Sequence, residues 1–96
     1  MESIKINWNN ESPHIIDLSQ NNLQSIKLHG QSTYKLLLSN NTKLSLIPTT
    51  FYAELPSLKY LDLDSIQLNS FEHLIYLHNL SNIHTLILNN NQLNKP

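Results

Sequence analysis

Apolar residues alternate with polar residues in four short segments of the chain, and a polar stretch with a further apolar residue follows each one. The segments cover residues 16–23, 36–41, 61–68 and 86–93, and each fits L-x-L-x-x-N-x-L fully or with one departure. Their second leucines are spaced by 20, 25 and 25 residues and are Leu18, Leu38, Leu63 and Leu88. Period-two alternation predicts short strands with one buried face. The regular spacing predicts that these strands stack in parallel as a solenoid.

The residues between these segments are patterned as well. Before Leu61, the apolar positions are Leu44, Ile47-Pro48, Phe51, Leu55 and Leu58. A looser copy precedes Leu86, with Phe71, Tyr76, Leu80 and Ile83. Over residues 14–93 the chain resembles the extracellular type of leucine-rich repeat, the type found in Toll-type receptors and secreted insect immune proteins.

The resemblance implies an α/β fold, a curved leucine-rich-repeat solenoid with short parallel strands on its concave face and an irregular or short helical convex side. Residues 14–96 would form about four repeats, the last one truncated, and residues 1–13 a covering strand or cap with Trp8 as a lid. Between the strands, residues 22–33 are predicted to be extended. Residues 48–57 are predicted to form a helical turn or short helix, and residues 70–79 have the best helical pattern.

Asparagine is unusually frequent, with 14 residues against a single glycine. An Asn side chain offers donors and an acceptor, so it can satisfy backbone groups left unpaired where the chain turns after each strand. Asn21, Asn41 and Asn91 are therefore predicted to form a buried ladder. Ile66 occupies the same position in the third repeat and predicts a break in that ladder, because its side chain cannot form hydrogen bonds.

The outward residues of the strands are the candidate partner-binding surface, since a stack of strands aligns them on one concave face. They are Asp17, Ser19, Lys35, Leu37, Tyr60, Asp62, Asp64, Thr85, Ile87 and Asn89. Apolar and aromatic groups surrounded by polar ones suit a protein ligand. The alternative interpretation is that these are ordinary solvated strand residues.

Composition and charge exclude several other functions. The net charge is −1, with 14% charged residues and no block of one sign, so we expect no nucleic-acid partner and no anionic membrane surface as a partner. No apolar run is long enough for a membrane segment in this chain. There is no cysteine, no H-E-x-x-H, no G-x-S-x-G and no glycine-rich loop. We therefore expect no enzyme activity, no catalytic residue, no cofactor and no metal.

Two other groups of residues carry candidate chemistry. Asp62 and Asp64 lie on one face of one strand and could hold a weak cation or flank a glycosidic bond, but solvated acids are the favoured interpretation. Three sequons begin at Asn10, Asn40 and Asn79. Asn79 and Asn40 are candidate glycosylation sites if the chain is secreted.

Two functions from different classes remain. The first is a protein-binding module, a fragment of an extracellular or secreted recognition protein, with a role in innate immunity implied by the resemblance alone. The second is a structural or assembly element that forms homo- or hetero-oligomers through its open repeat edge. The first is motivated by the I-P-x-x-x-F pattern from Ile47 to Phe51. The last strand pattern is followed only by Asn94-Lys95-Pro96, so we expect either an excerpt of a longer protein or an open edge that pairs with another chain.

Overall fold

A computed structural model describes residues 2–9 and 11–91. Over these residues the chain forms a parallel β-solenoid of about three turns with little helix. The strands and the 3-10 helix are, in chain order, β1 Ser3–Asn7, β2 Ile15–Asp17, β3 Ser25–His29, β4 Lys35–Leu37, β5 Phe51–Glu54, β6 Tyr60–Asp62, the 3-10 helix Phe71–Leu77 and β7 Thr85–Ile87.

The strands belong to two parallel sheets. The first sheet has the order β2-β4-β6-β7 and contains the L-x-L segments, whereas the second sheet has the order β1-β3-β5. The chain alternates between the sheets, so each of the first three coils contributes one strand to each. Pairs in the first sheet are in register, and this places Ile16, Leu36, Leu61 and Leu86 side by side.

Leucines from successive coils form one core between the two sheets. Leu36, Leu38, Leu61 and Leu63 have no exposed surface, and Leu18 and Leu88 pack against them while half-buried. The second sheet contributes its own inward residues, including Ile26, Leu28 and Phe51. The predicted solenoid with an inward column of leucines is therefore confirmed.

The side of the coils opposite the L-x-L strands differs from the prediction. Residues 22–33 contain β3, which is extended as expected, although Asn22 has a left-handed φ of 54°. The prediction for residues 48–57 is confirmed in part. The N–H groups of Thr50 and Phe51 both donate to the Ile47 carbonyl and form one helical turn, but β5 follows it in place of a short helix. Within β5, Phe51 and Ala53 are buried while Tyr52 and Glu54 are exposed, which is strand alternation. The edge of β3 forms hydrogen bonds with residues 51–54, and this pairing makes the segment a strand.

The fourth coil has a helix where the earlier coils have strands. The pattern in residues 70–79 produces a 3-10 helix, Phe71–Leu77, and the Ser70 side chain accepts a hydrogen bond from the Glu72 amide at its N-terminus. No helix among the described residues has the length and apolar character needed to cross a membrane.

The N-terminal strand belongs to the first coil. β1 lies at the edge of the second sheet, where all five of its residues pair in parallel with β3. Trp8 follows it, donates its backbone N–H to the His29 carbonyl at 2.8 Å and packs half-buried against the core. β1 is therefore the second-sheet strand of the first described coil.

Candidate functional site

The outward residues of the first sheet form three rows, here named the first-sheet face. The strand register defines the first two rows, and backbone hydrogen bonds between successive turns align the third. The rows are Ile15, Lys35, Tyr60 and Thr85; Asp17, Leu37, Asp62 and Ile87; and Ser19, Ser39, Asp64 and Asn89. All ten residues predicted as partner-binding thus lie together on one surface.

The first row is fixed by a contact between a cation and an aromatic ring. The Lys35 ammonium lies 4.6 Å from the centre of the Tyr60 ring, which is within the range of a cation–π interaction. Ile15, at the start of the row, is 49% exposed. Both side chains of the pair are half-buried, so they present a defined shape to a partner.

Two of the acids on this face also shape the backbone. A carboxylate oxygen of Asp17 accepts the Ser19 N–H at 3.1 Å, and Asp62 accepts the Asp64 N–H at 2.9 Å. Such bonds end a strand in a turn. The backbone hydrogen bond from Ser19 lowers the pKa of Asp17 from its usual 3.8. The stability that this carboxylate contributes is present above that pH and is lost as the pH falls through the lowered pKa.

Asp64 connects two coils. Its carboxylate accepts a hydrogen bond from the Asn90 side chain at 3.0 Å and a longer one, 3.5 Å, from the Ser65 hydroxyl. Among the described residues, no three histidine or acidic side chains come together in a way that could hold a metal ion. Asp62 and Asp64 are held on the first-sheet face by the hydrogen bonds of their turn and of the neighbouring coil.

The asparagine ladder is formed mainly by Asn41. Its amide nitrogen donates to the carbonyls of Leu18 and Leu38 at 2.9 and 2.8 Å, and its oxygen accepts the N–H groups of Asn21 and Leu23 at 3.1 and 2.9 Å. This side chain is completely buried. Three of these four hydrogen bonds join it to the preceding coil, and the bond to Leu38 is within its own turn.

The other positions of the asparagine ladder form fewer hydrogen bonds between coils than Asn41 does. The Asn91 amide nitrogen donates to the carbonyls of Leu63, Leu88 and Asn89, but its oxygen has no partner among the described residues. The Asn21 side chain bonds only within its own turn, to the Ser19 carbonyl. Ile66 is buried in the third coil, where an apolar side chain takes the ladder position.

A second role of the turn residues was missed by sequence reasoning. Gln20, Asn40, Ser65 and Asn90 have φ between 56° and 62°, and each lies two residues after the second leucine of its segment. Asn adopts this left-handed conformation more readily than other residues that carry a side chain. The recurrence of Asn at residues 40 and 90 was the available signal, whereas a turn role was predicted only for Asn21, Asn41 and Asn91 of the ladder.

The candidate glycosylation sites are accessible. Asn79 is exposed in the turn after the 3-10 helix, and Asn40 is exposed in its left-handed turn. The third sequon, at Asn10, and Leu93 of the fourth segment lie outside the described residues. Asn40 and Asn79 are therefore accessible for glycosylation.

Three cavities among the described residues lie away from the first-sheet face. Two of them, of about 590 and 340 Å³, are on the second sheet, and one of about 320 Å³ is beside Ile66 and Asn91. None of the three is lined by a residue of the first-sheet face.

No protein-family model matches the chain, and neither a curated protein nor a solved structure matches it.

Proposed function

We propose that the chain is a non-enzymatic protein-binding module of the leucine-rich-repeat type, and that the first-sheet face is its binding surface. The observation that carries the proposal is the alignment of three outward rows across four parallel strands. Leu37, Tyr60 and Ile87 place half-buried apolar and aromatic groups on three of the four strands, with Asp62 between Leu37 and Ile87. Asp17 is exposed on the edge strand β2, and Asn89 is exposed just after the other edge strand, β7. Apolar and aromatic groups combined with polar ones are the usual composition of a protein interface.

The repeat type is supported by the inter-coil hydrogen bonds of Asn41 and by the 20- to 25-residue spacing of the buried leucines. The proposal that the protein is extracellular and acts in innate immunity rests on the resemblance of the repeat alone. A signal peptide and cysteine-containing caps in the surrounding reading frame would support it. A cytosolic kinase or nucleotide-binding domain in the same frame would overturn it.

Site-specific photo-crosslinking tests the binding surface even while the partner is unidentified. A photoreactive residue replaces Ile87 on the first-sheet face, and the same residue replaces Asn7, which is exposed on the second sheet, as the matched control. We expect a discrete adduct with one protein from position 87 and none from position 7. Equal adducts from both positions, or none from either, would contradict the proposed surface.

Amide substitution then tests the acids. Asp62→Asn combined with Asp64→Asn removes two negative charges but keeps the oxygen atoms that accept the turn hydrogen bonds, so the fold is preserved. We expect weaker binding of the crosslinked partner and an unchanged melting temperature. Glu11→Gln combined with Glu72→Gln removes the same charge from exposed residues off the face and serves as the control. Unchanged affinity in the Asp variant would mean that the acids do not contact the partner.

Self-association is the second candidate function, and the burial of the last coil favours it. Leu86 and Leu88 are only half-buried, whereas the equivalent leucines of the two preceding coils are completely buried. Phe71 and Ile75, on the 3-10 helix of the same coil, are 61% and 64% exposed. A second copy packed against this coil would bury apolar surface, and a strand edge is a ready template for pairing.

Light scattering over a range of concentrations tests this candidate. Phe71→Lys combined with Ile75→Lys places charge on the exposed apolar surface without touching the buried core. If the coil is an association surface, the unmodified chain forms a dimer or larger assembly and the variant is monomeric. Tyr34→Lys, at an exposed residue of the second coil, should leave association unchanged. A chain that stays monomeric at high concentration contradicts this function.

A further inference from the structure

The second sheet carries a cavity lined by two lysines, three hydroxyl residues and the apolar or aromatic residues Ile4, Ile26, Pro48 and Tyr52. Parallel pairing of β1 with β3 places Lys5 beside Lys27 and Ser3 beside Ser25. The turn before β5 adds Thr49, and together these residues line a cavity of about 590 Å³. This cavity is separate from the first-sheet face and independent of the function proposed for it.

The charges in this cavity are of one sign. Lys5 and Lys27 are both exposed on neighbouring strands, whose spacing is about 4.8 Å. Like charges placed side by side in a sheet destabilise it. Among the described residues, neither ammonium group lies within 4.0 Å of a carboxylate, since the His29–Glu54 pair is the ion pair found there. A bound anion would relieve this repulsion.

The acid nearest to the two lysines in the sheet is already engaged. Glu54 accepts the Tyr52 hydroxyl at 2.5 Å and lies 3.5 Å from the His29 ring nitrogen, one row beyond the lysines. Its hydrogen bond raises the pKa of Tyr52 above the usual 10.0, so the phenol stays neutral. Lys5 and Lys27 line both this cavity and the neighbouring one of about 340 Å³, whereas Glu54 lines only the neighbouring one. The larger cavity is therefore the one that favours an anion.

The lining of the larger cavity indicates the kind of anion. The hydroxyls of Ser3, Ser25 and Thr49 can donate hydrogen bonds to oxygen atoms, and ammonium groups form strong bonds to phosphate-type oxygens. The Lys27 ammonium lies 5.6 Å from the centre of the Tyr52 ring, which holds it over this part of the face. The volume accommodates more than an inorganic ion. We propose that this cavity binds a phosphate or sulfate monoester between Lys5 and Lys27.

Amide NMR titrations of the whole chain test the site. The probes are inorganic phosphate, inorganic sulfate, glucose phosphate, glucose sulfate, and phosphatidylcholine vesicles with and without phosphatidic acid, all at matched ionic strength in sodium chloride. We expect the soluble esters to shift the amide signals of Ser3, Lys5, Ser25, Lys27 and Thr49. Binding of the phosphatidic acid vesicles alone identifies a lipid headgroup as the source of the ester. Binding of inorganic ions without any ester overturns the proposal.

Paired variants separate a site from general charge attraction. Lys5→Gln combined with Lys27→Gln should weaken ester binding by about tenfold or more, because both charge-assisted bonds are lost. Lys43→Gln combined with Lys59→Gln makes the same change of charge at exposed lysines outside the cavity and should leave binding unchanged. Lys5→Arg with Lys27→Arg should retain binding. Equal weakening in the two Gln variants, with folded spectra, would overturn the proposal.

Discussion

At the scale of single residues, three places control how closely the coils approach each other: the Asn41 side chain, the pair Ser12 and Thr33, and Gly30, which has no side chain. Asn41 satisfies two backbone donors and two backbone acceptors in adjacent coils. Ser12 and Thr33 form a second buried polar contact, in which the Thr33 hydroxyl donates to Ser12 Oγ at 2.8 Å. Gly30 packs directly against Ser12 of this pair. Each of these three positions tolerates very little change, because its neighbours are backbone or buried polar groups.

Replacement of Asn41 by Ala should lower the stability of the fold far more than replacement of the exposed Asn69 by Ala. It leaves the backbone groups of Leu18, Asn21 and Leu23 without their partners, and an unsatisfied buried group costs about 1–3 kcal/mol. We expect a loss of about 3 kcal/mol or more in the free energy of unfolding, measured by urea denaturation. Asn69→Ala, at an exposed loop residue, is the control and should change little. A small loss at residue 41 would mean that water replaces the amide.

Gly30 should not tolerate a methyl group. A Cβ atom at this position would lie 2.5 Å from both Cβ and Oγ of Ser12 and 3.2 Å from a ring carbon of Trp8. Overpacking of this kind costs about 1–3 kcal/mol. Thermal unfolding of Gly30→Ala should show a lower melting temperature, whereas Gln31→Ala, at the next and exposed residue, should leave it unchanged. An unchanged melting temperature in Gly30→Ala would show that the Ser12 segment can move away.

At the scale of elements, each coil turns after its first-sheet strand through a left-handed residue two places after the second leucine, and the first coil has a further one at Asn22. Two of these four positions hold Asn and the others hold Gln20 and Ser65. Left-handed backbone costs roughly 1–2 kcal/mol for most residues and less for Asn, whose short polar side chain can hydrogen-bond locally. The turn, and not only the ladder, therefore accounts for the frequency of asparagine.

Gln20 offers a stabilising substitution. Gln20→Asn should raise the free energy of unfolding by up to about 1 kcal/mol, because Asn fits φ of 59° better than Gln. Gln20→Val should lower it by about 1 kcal/mol or more, since β-branched residues are strained there. Gln24→Asn is the matched control at an exposed position without positive φ. If both Gln to Asn changes had the same effect on denaturation, the turn would not be the cause.

The segment from residue 48 to 57 shows how an element depends on its neighbour. Ile47, Phe51, Leu55 and Leu58 have a spacing that is compatible with a helix, and this spacing is the basis of the helical prediction. In the solenoid, β3 already presents an edge beside this segment, and β5 pairs with it over four residues. The hydrogen bonds available from a neighbouring coil outweighed a short local helical pattern, because a helix of this length is marginal by itself.

At the scale of the whole molecule, burial decreases from the centre of the stack toward its last coil. Leu61 in β6 is completely buried, and β6 pairs with a strand on each side. All three residues of β7 are only half-buried, and among the described residues β7 pairs on one side. In a repeat stack, stability is a sum of coil and interface contributions, so the last coil should open most easily.

Amide hydrogen exchange can measure this gradient. We expect the slowest exchange in β4 and β6 and distinctly faster exchange in β7, measured at a concentration where the chain is monomeric. β2 is the other edge of the same sheet, but Ile16 is buried there, and β2 is therefore the internal comparison. Protection in β7 equal to that in β6 would mean that an additional segment or a second copy covers the last coil.

The pattern of the chain alone determined the strands of the first sheet, the inward column of leucines and the set of outward residues. These follow from local alternation and from the spacing of the repeats, which any stacked arrangement must preserve. Asn41 could be assigned in the same way, because its position after the strand leaves it next to unpaired backbone groups. The break in the asparagine ladder at Ile66 is also predicted by the sequence, because the Ile side chain cannot form hydrogen bonds.

Only the tertiary structure decided the second sheet, the bond between Asn90 and Asp64, and the pairing of Lys5 with Lys27. These features depend on which segment lies beside which, and a single coil does not contain that information. β1 and β5 are strands because β3 lies between them with both edges available for hydrogen bonds. Residues 5 and 27 become neighbours through the register of that pairing, a long-range contact that no local pattern of residues encodes.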